Sequence, residues 1–161
     1  MMKSIIEISR INWENLRVAP GSAVIIPNAL IRLLKTQSAE DANEIYWQLE
    51  NHIVIQGQVF QCAEFAIPVL LLALADDCSR PTKVACMELL FQILAGTPHQ
   101  SEIDAENNEL MDRCHKKARE GLWLLYKELQ DGVTDAAYEI LDLIDDDKER
   151  LNFYANNKKH D

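Results

Sequence analysis

The chain has 161 residues, 48 % of them hydrophobic, with 5 glycines, 5 prolines and a formal net charge of -10 at pH 7. That length makes one domain with a real core, and so few glycines and prolines disfavour a turn-rich β-sandwich and suit long helices. The negative surface repels nucleic acid and anionic lipid and draws a basic protein partner, although acidity also serves simply to keep a cytoplasmic protein soluble.

The opening residues carry Glu7 and Glu14 and no long apolar run, so they are not a secretory signal. Ile5, Ile6 and Ile8 suggest a short extended piece, and Ile11, Trp13 and Leu16 an apolar edge, so that residues 1–21 read as an irregular cap. Pro20 and Gly21 make a turn. Ile26, Leu30, Leu33 and Leu34 then recur at helical spacing, with Pro27 in a first turn. Ser38 is an N-cap with Glu40 and Asp41 behind it, and Ala42, Ile45, Tyr46, Leu49 and Ile53 mark the face of a helix ending near His52. The β-branched Ile53, Val54 and Ile55, followed by Gly57, predict an extended connection.

The third helical pattern runs over residues 58–75, and its leucine run leaves no polar face, which predicts burial on several sides. It is too short to cross a bilayer, which takes about 20 residues. Pro68 should kink or split it. Pro81 opens the next helix, carried by Val84, Met87, Phe91 and Leu94 and stopped at Gly96. Residues 99–108 read as a polar, acidic loop. Leu110, Cys114, Ala118, Leu122, Leu125 and Leu129 form the stripe of one long helix, widened by Trp123 and Tyr126 and ended by Gly132. Thr134 or Asp135 caps a helix on Ala137, Ile140, Leu141 and Ile144; Leu151, Phe153 and Tyr154 form a last apolar element, and residues 155–161 a frayed tail. Short loops make neighbouring helices antiparallel, and the pairs are roughly 35 to 45 residues long, the size of helical repeat units.

The segments IPNALIRLLK, YWQLENHIVIQGQVFQCAEFAIPVLLLALAD, KVACMELLFQIL and EGLWLLYKELQDGVTDAAYEIL resemble bacterial HEAT-like helical repeats over roughly residues 22–144. Pro68 inside the third segment and Asp76 after its leucine run are similar to features of such repeats. The resemblance implies an all-α fold of antiparallel helix pairs stacked as a short HEAT/ARM-like α-solenoid. Small acidic proteins of this kind resemble immunity proteins that neutralise secreted bacterial toxins, which implies a basic toxin domain as partner, no cofactor, and a protein monomeric when free.

Motifs of catalysis are missing from the pattern. His52, His99, His115 and His160 make no H-E-x-x-H, Cys62, Cys78, Cys86 and Cys114 make no C-x-x-C, and the glycines form no phosphate loop. A dyad of Cys62 or Cys86 with His52 competes with a buried structural thiol, and the thiol is preferred. Lys116, Lys117 and Arg119 read as a solvated helix face.

Carboxylates are the richer signal. Asp142, Asp145 and Asp146 gather at a helix C-terminus, where like charge opposes the dipole. Glu102, Asp104, Glu106 and Glu109 form a second group, and Asp76 and Asp77 a third. Loops on the same side of a stack place the three on one acidic edge, suited to a basic partner. Trp13 and Trp123 read as core, while Trp47, beside Gln48 and Glu50 and off the apolar line, reads as an exposed binding anchor. The leading expectation is thus an acidic protein-binding module, with an adaptor whose apolar groove takes a peptide as the first rival and an enzyme as the last.

Overall fold

A computed structural model describes residues 2–19 and 24–157 of the chain. The expected turn at Pro20 and Gly21, the start of the repeat-like region at Ser22, and His160 in the tail lie outside the described residues. Within them the protein is all-α, with ten α-helices and three two-residue strands. The helices are α1 (Lys3–Arg10), α2 (Ile25–Lys35), α3 (Ala39–Ile53), α4 (Cys62–Ala75), α5 (Arg80–Leu94), α6 (Gln100–Asp104), α7 (Leu110–Arg119), α8 (Leu122–Asp131), α9 (Thr134–Ile144) and α10 (Lys148–Asn156). The strands are β1 (Val54–Ile55), β2 (Gln58–Val59) and β3 (Thr97–Pro98).

Several helices follow directly from local chemistry. Ser38 caps α3 by accepting from the Asp41 N–H at 3.0 Å, and Ser79 caps α5 by accepting from Thr82 at 3.2 Å. The β-branched stretch after α3 pairs as a hairpin, Val54 opposite Val59 and Ile55 opposite Gln58. Its two-residue turn has Gln56 at φ 50° and Gly57 at φ 77°, the pair of left-handed residues that matches the twist of a tight hairpin. β3 adds in parallel on the other side of β2.

Other elements depart from the reading above. Residues 3–10 are helical, not extended: Ser4 and Ile8, four apart, are buried on one face. The helix at residue 62 starts later than expected, because residues 58 and 59 belong to β2. Pro68 stands within α4 without splitting it; nine buried residues along the helix outweigh one lost backbone bond. The expected long helix over residues 110–129 is two, α7 and α8, broken at Gly121, where a Cβ would sit 2.7 Å from the Leu71 side chain. The expected acidic loop contains β3 and α6. α9 is not capped by Thr134 or Asp135: Glu128 of α8 accepts from the Val133 N–H ahead of it, at 3.0 Å. The tail at Ala155 and Asn156 is still part of α10.

The buried apolar residues form one contiguous cluster running from α1 to α10. α5 lies at its centre, packed against α4 and between α3 and α9. The Ser79 hydroxyl donates to the Thr36 carbonyl at 2.8 Å, which joins the starts of α3 and α5. Lys83 of α5 reaches Glu128 at 3.7 Å, beside the start of α9. α3, α5 and α9 therefore run the same way, side by side, with α4 behind them against α1 and α7.

Candidate interaction surfaces

The acidic residues singled out by sequence do not share an edge. Asp76 follows the C-terminus of α4 and accepts from the Lys3 and Ser4 N–H groups, both at 3.0 Å, and from the Ser4 hydroxyl at 2.5 Å. It caps α1. Glu102 accepts from the Gln61 N–H at 3.0 Å, at the opposite end of α4. Fourteen residues of helix separate these ends by roughly 20 Å. The single acidic ridge is therefore wrong, because the chain crosses the whole molecule between its carboxylate groups.

Nor are all of these carboxylates surface groups. Glu102 is fully buried, holding the Arg17 guanidinium with both oxygens and taking the Asn107 side chain at 2.8 Å. Its burial opposes ionisation, but these donors win and keep its carboxyl below the ordinary range. Neighbouring Asn107 also accepts from Arg113, which pairs with Glu64 at 3.2 Å. The group thus ties the N-terminal segment to α4, α6 and α7. Around it Asp104, Glu106 and Glu109 are exposed, with Asp104 accepting from Gln100 at 2.9 Å, and at the other end of α4 Asp77 is exposed too.

The end of α9 is built around Asp145, also buried. Arg150 donates to it twice, at 2.7 and 3.0 Å, the Asp147 N–H donates at 3.0 Å, and the buried Tyr126 hydroxyl donates as well. The Arg150 bonds come first among the causes that hold its carboxyl down to about 2. Exposed Asp142 and Asp146 flank it, paired loosely with Lys148 at 3.6 Å and Arg119 at 3.7 Å.

On this knot rests an aromatic surface that sequence reasoning missed. Arg150 lies over the Trp123 ring at 5.3 Å and near Tyr126 at 5.8 Å. Tyr154 packs on Tyr126 with ring centres 4.7 Å apart, and Phe153 meets Tyr154 edge-on. Trp123 and Phe153 are 60 % and 67 % exposed. Trp123 was expected in the core; the apolar stripe of α8 is narrower than its sequence suggests, and the indole falls outside it. Trp13 is buried as expected, its indole donating to the Ile8 carbonyl at 3.0 Å.

A second surface lies between α3 and α5. Trp47 is 54 % exposed there, edge-on to Tyr46. Beside them is a cavity of about 330 Å³ with an apolar floor that includes Ala42, Tyr46, Val84 and Ala85, and with Arg80 and Glu88 on its rim. Glu50 is one helical turn beyond Tyr46 and only partly exposed. Its Oε2 is buried and has no hydrogen-bond partner among the described residues. Burial raises its carboxyl above the ordinary range, although a hydrogen bond with Tyr46 pulls the other way.

The cysteines offer little reactivity. Cys62 and Cys86 are fully buried, and burial pushes the Cys62 thiol up to about 12 and Cys86 further. Among the described residues no three His, Cys, Asp or Glu side chains are grouped to hold a metal ion, and no helix is long and apolar enough to cross a membrane. The chain matches no family model, and no curated protein or solved structure is detectably similar to it.

Proposed function

We propose that this protein is a binding module for a basic protein partner, and that it acts in the cytoplasm as an immunity-type neutraliser of a toxin domain. In this reading the pairs α2–α3, α4–α5 and α8–α9 are HEAT-like units stacked as a short solenoid, and the free protein is a monomer. The observation that carries it is the rigid aromatic surface at α8 and α10: Trp123 and Phe153, half or more exposed, braced by the Arg150–Asp145 pair within the acidic surroundings of Asp142, Asp146 and Glu149. Aromatic residues and arginine dominate binding hot spots, and an anchor already fixed in place loses little entropy on association. Surrounding carboxylates steer a basic partner and set its orientation. Enzymatic chemistry is the weakest reading, since the Cys62, Cys86 and Cys114 thiols are buried and the buried carboxylates Glu102 and Asp145 are consumed by internal partners.

The test is capture from lysate of the source organism with the wild-type protein and with Trp123→Ala, each at low and high salt. One basic protein retained by the wild type at low salt, weakened by salt and lost with Trp123→Ala, is the expected result. A partner indifferent to both would point to the α3–α5 groove as the main surface, and no partner would overturn the proposal.

A further inference from the structure

α10 is joined to the body with little buried apolar surface. Of its nine described residues only Leu151 is buried. The rest of the joint converges on Asp145, the residue that follows α9. Its carboxylate takes the Asp147 N–H at 3.0 Å just ahead of α10, and the Arg150 guanidinium at 2.7 and 3.0 Å within it. Tyr154, one turn beyond Arg150, rests on Tyr126. Beneath, α8 and α9 pack on each other and α9 packs on α5, so the packing of the body continues without α10. When α10 leaves, Asp145 keeps the Tyr126 hydroxyl and gains water, and Arg150 is solvated, so neither charge is stranded. Nine residues are too few to stay helical alone. The release of α10 is thus a local unfolding step that costs less than unfolding the core.

The same joint assembles the aromatic surface. Arg150 brings its guanidinium to 5.3 Å from the Trp123 ring and 5.8 Å from Tyr126, and α10 presents Phe153 three residues later. With α10 away, Trp123 loses the cation on its face and Phe153 loses its place beside the other rings. We infer that α10 is a latch that opens and closes on the folded body, and that Arg150 is the positioning residue whose return to Asp145 builds the Trp123–Phe153 surface. The closed form is the ground state, with both charges matched. A partner that grips both rings therefore binds the closed form and holds the latch shut. That last consequence rests on the binding function proposed above; the latch itself does not.

Native-state amide hydrogen exchange on the full chain, in denaturant raised stepwise below the unfolding transition, tests the latch without a partner. The helical amides of residues 151–157 should exchange through a small opening that is nearly insensitive to denaturant, while those of α5 exchange through global unfolding. Arg150→Ala should speed exchange at 151–157 about tenfold to a hundredfold, as for lost hydrogen bonds to a charged group, and leave α5 unchanged. Arg150→Lys, which keeps the charge but not the fork of donors, should fall between. Fluorotryptophan labelling gives one resonance each for Trp13, Trp47 and Trp123, and in Arg150→Ala the Trp123 resonance alone should move. Wild-type exchange at 151–157 with the free energy and denaturant slope of α5 would overturn the latch. A Trp123 resonance unmoved by Arg150→Ala would overturn the positioning role. Failure to find a partner touches neither measurement, and an α10 that never opens leaves a permanently closed binding surface, so the two readings fail separately.

Discussion

Asp145 at the end of α9 and Glu50 on α3 are both carboxylates withdrawn from water, yet their surroundings are opposite. Asp145 receives four donors from three residues, Arg150, Asp147 and Tyr126, and stays ionised down to a pH of about 2. Glu50 has one buried oxygen with no hydrogen-bond partner among the described residues, and its carboxyl is raised. A buried charge whose donors are all present is structural, because removing it strands the donors. A partly buried charge with an empty position costs stability in the free protein, and that cost is recovered only when something else supplies the donor.

The difference is broken most forcefully at Asp145. Asp145→Ala should lower unfolding stability by about 3 kcal/mol, since it leaves the Arg150 guanidinium and Tyr126 hydroxyl unmatched; chemical denaturation reads this, and a loss below about 1 kcal/mol would show that the pair is dispensable.

Next comes acid. The folded Asp145 carboxyl lies at about 2 against an ordinary 3.8, so its contribution is fully present above the ordinary value and disappears as pH falls towards 2. The gap in melting temperature between wild type and Asp145→Ala should therefore be wide at neutral pH and close between pH values of roughly 4 and 2. Glu50 works with the reverse sign: its raised carboxyl binds a proton more readily in the folded state, so its contribution improves as pH falls through that folded value. An unchanged gap for Asp145 across the acid range would remove the ionised pair from the account.

The smallest effect sharpens the contrast. Glu50→Gln should raise stability slightly, by about 0.5 kcal/mol or less, as chemical denaturation reads it. A clear destabilisation would mean that Glu50 is as structural as Asp145.

Much of the fold was legible because its signals are local. Ser38 caps a helix a few residues ahead, Pro81 sits in the first turn of α5, and the apolar residues of α3 and α5 recur at helical spacing. What escaped was set by distant partners. α1 starts against Asp76, more than seventy residues away in sequence, and the break at Gly121 answers to Leu71 of α4. The site divided in the same way. Trp47 announced its exposure through its polar neighbours, whereas the acidic groups gave no sign of which members are buried. Glu102 is satisfied by Arg17 from the other end of the chain, and nothing in its own neighbourhood reveals this. Asp145 is different: its partner Arg150 is five residues on, and the pair was open to discovery from the sequence.

The capping of α1 by Asp76 also orders events during synthesis. When residues 3–10 leave the ribosome, the carboxylate that holds their first turn has not yet been made, and neither has α4, the surface on which α1 packs. An eight-residue helix is too short to persist unaided in water. α1 is thus among the later helices to become permanent, and a nascent chain halted before residue 76 carries it as an unfastened segment, accessible to proteases and chaperones until the α4–α5 turn appears.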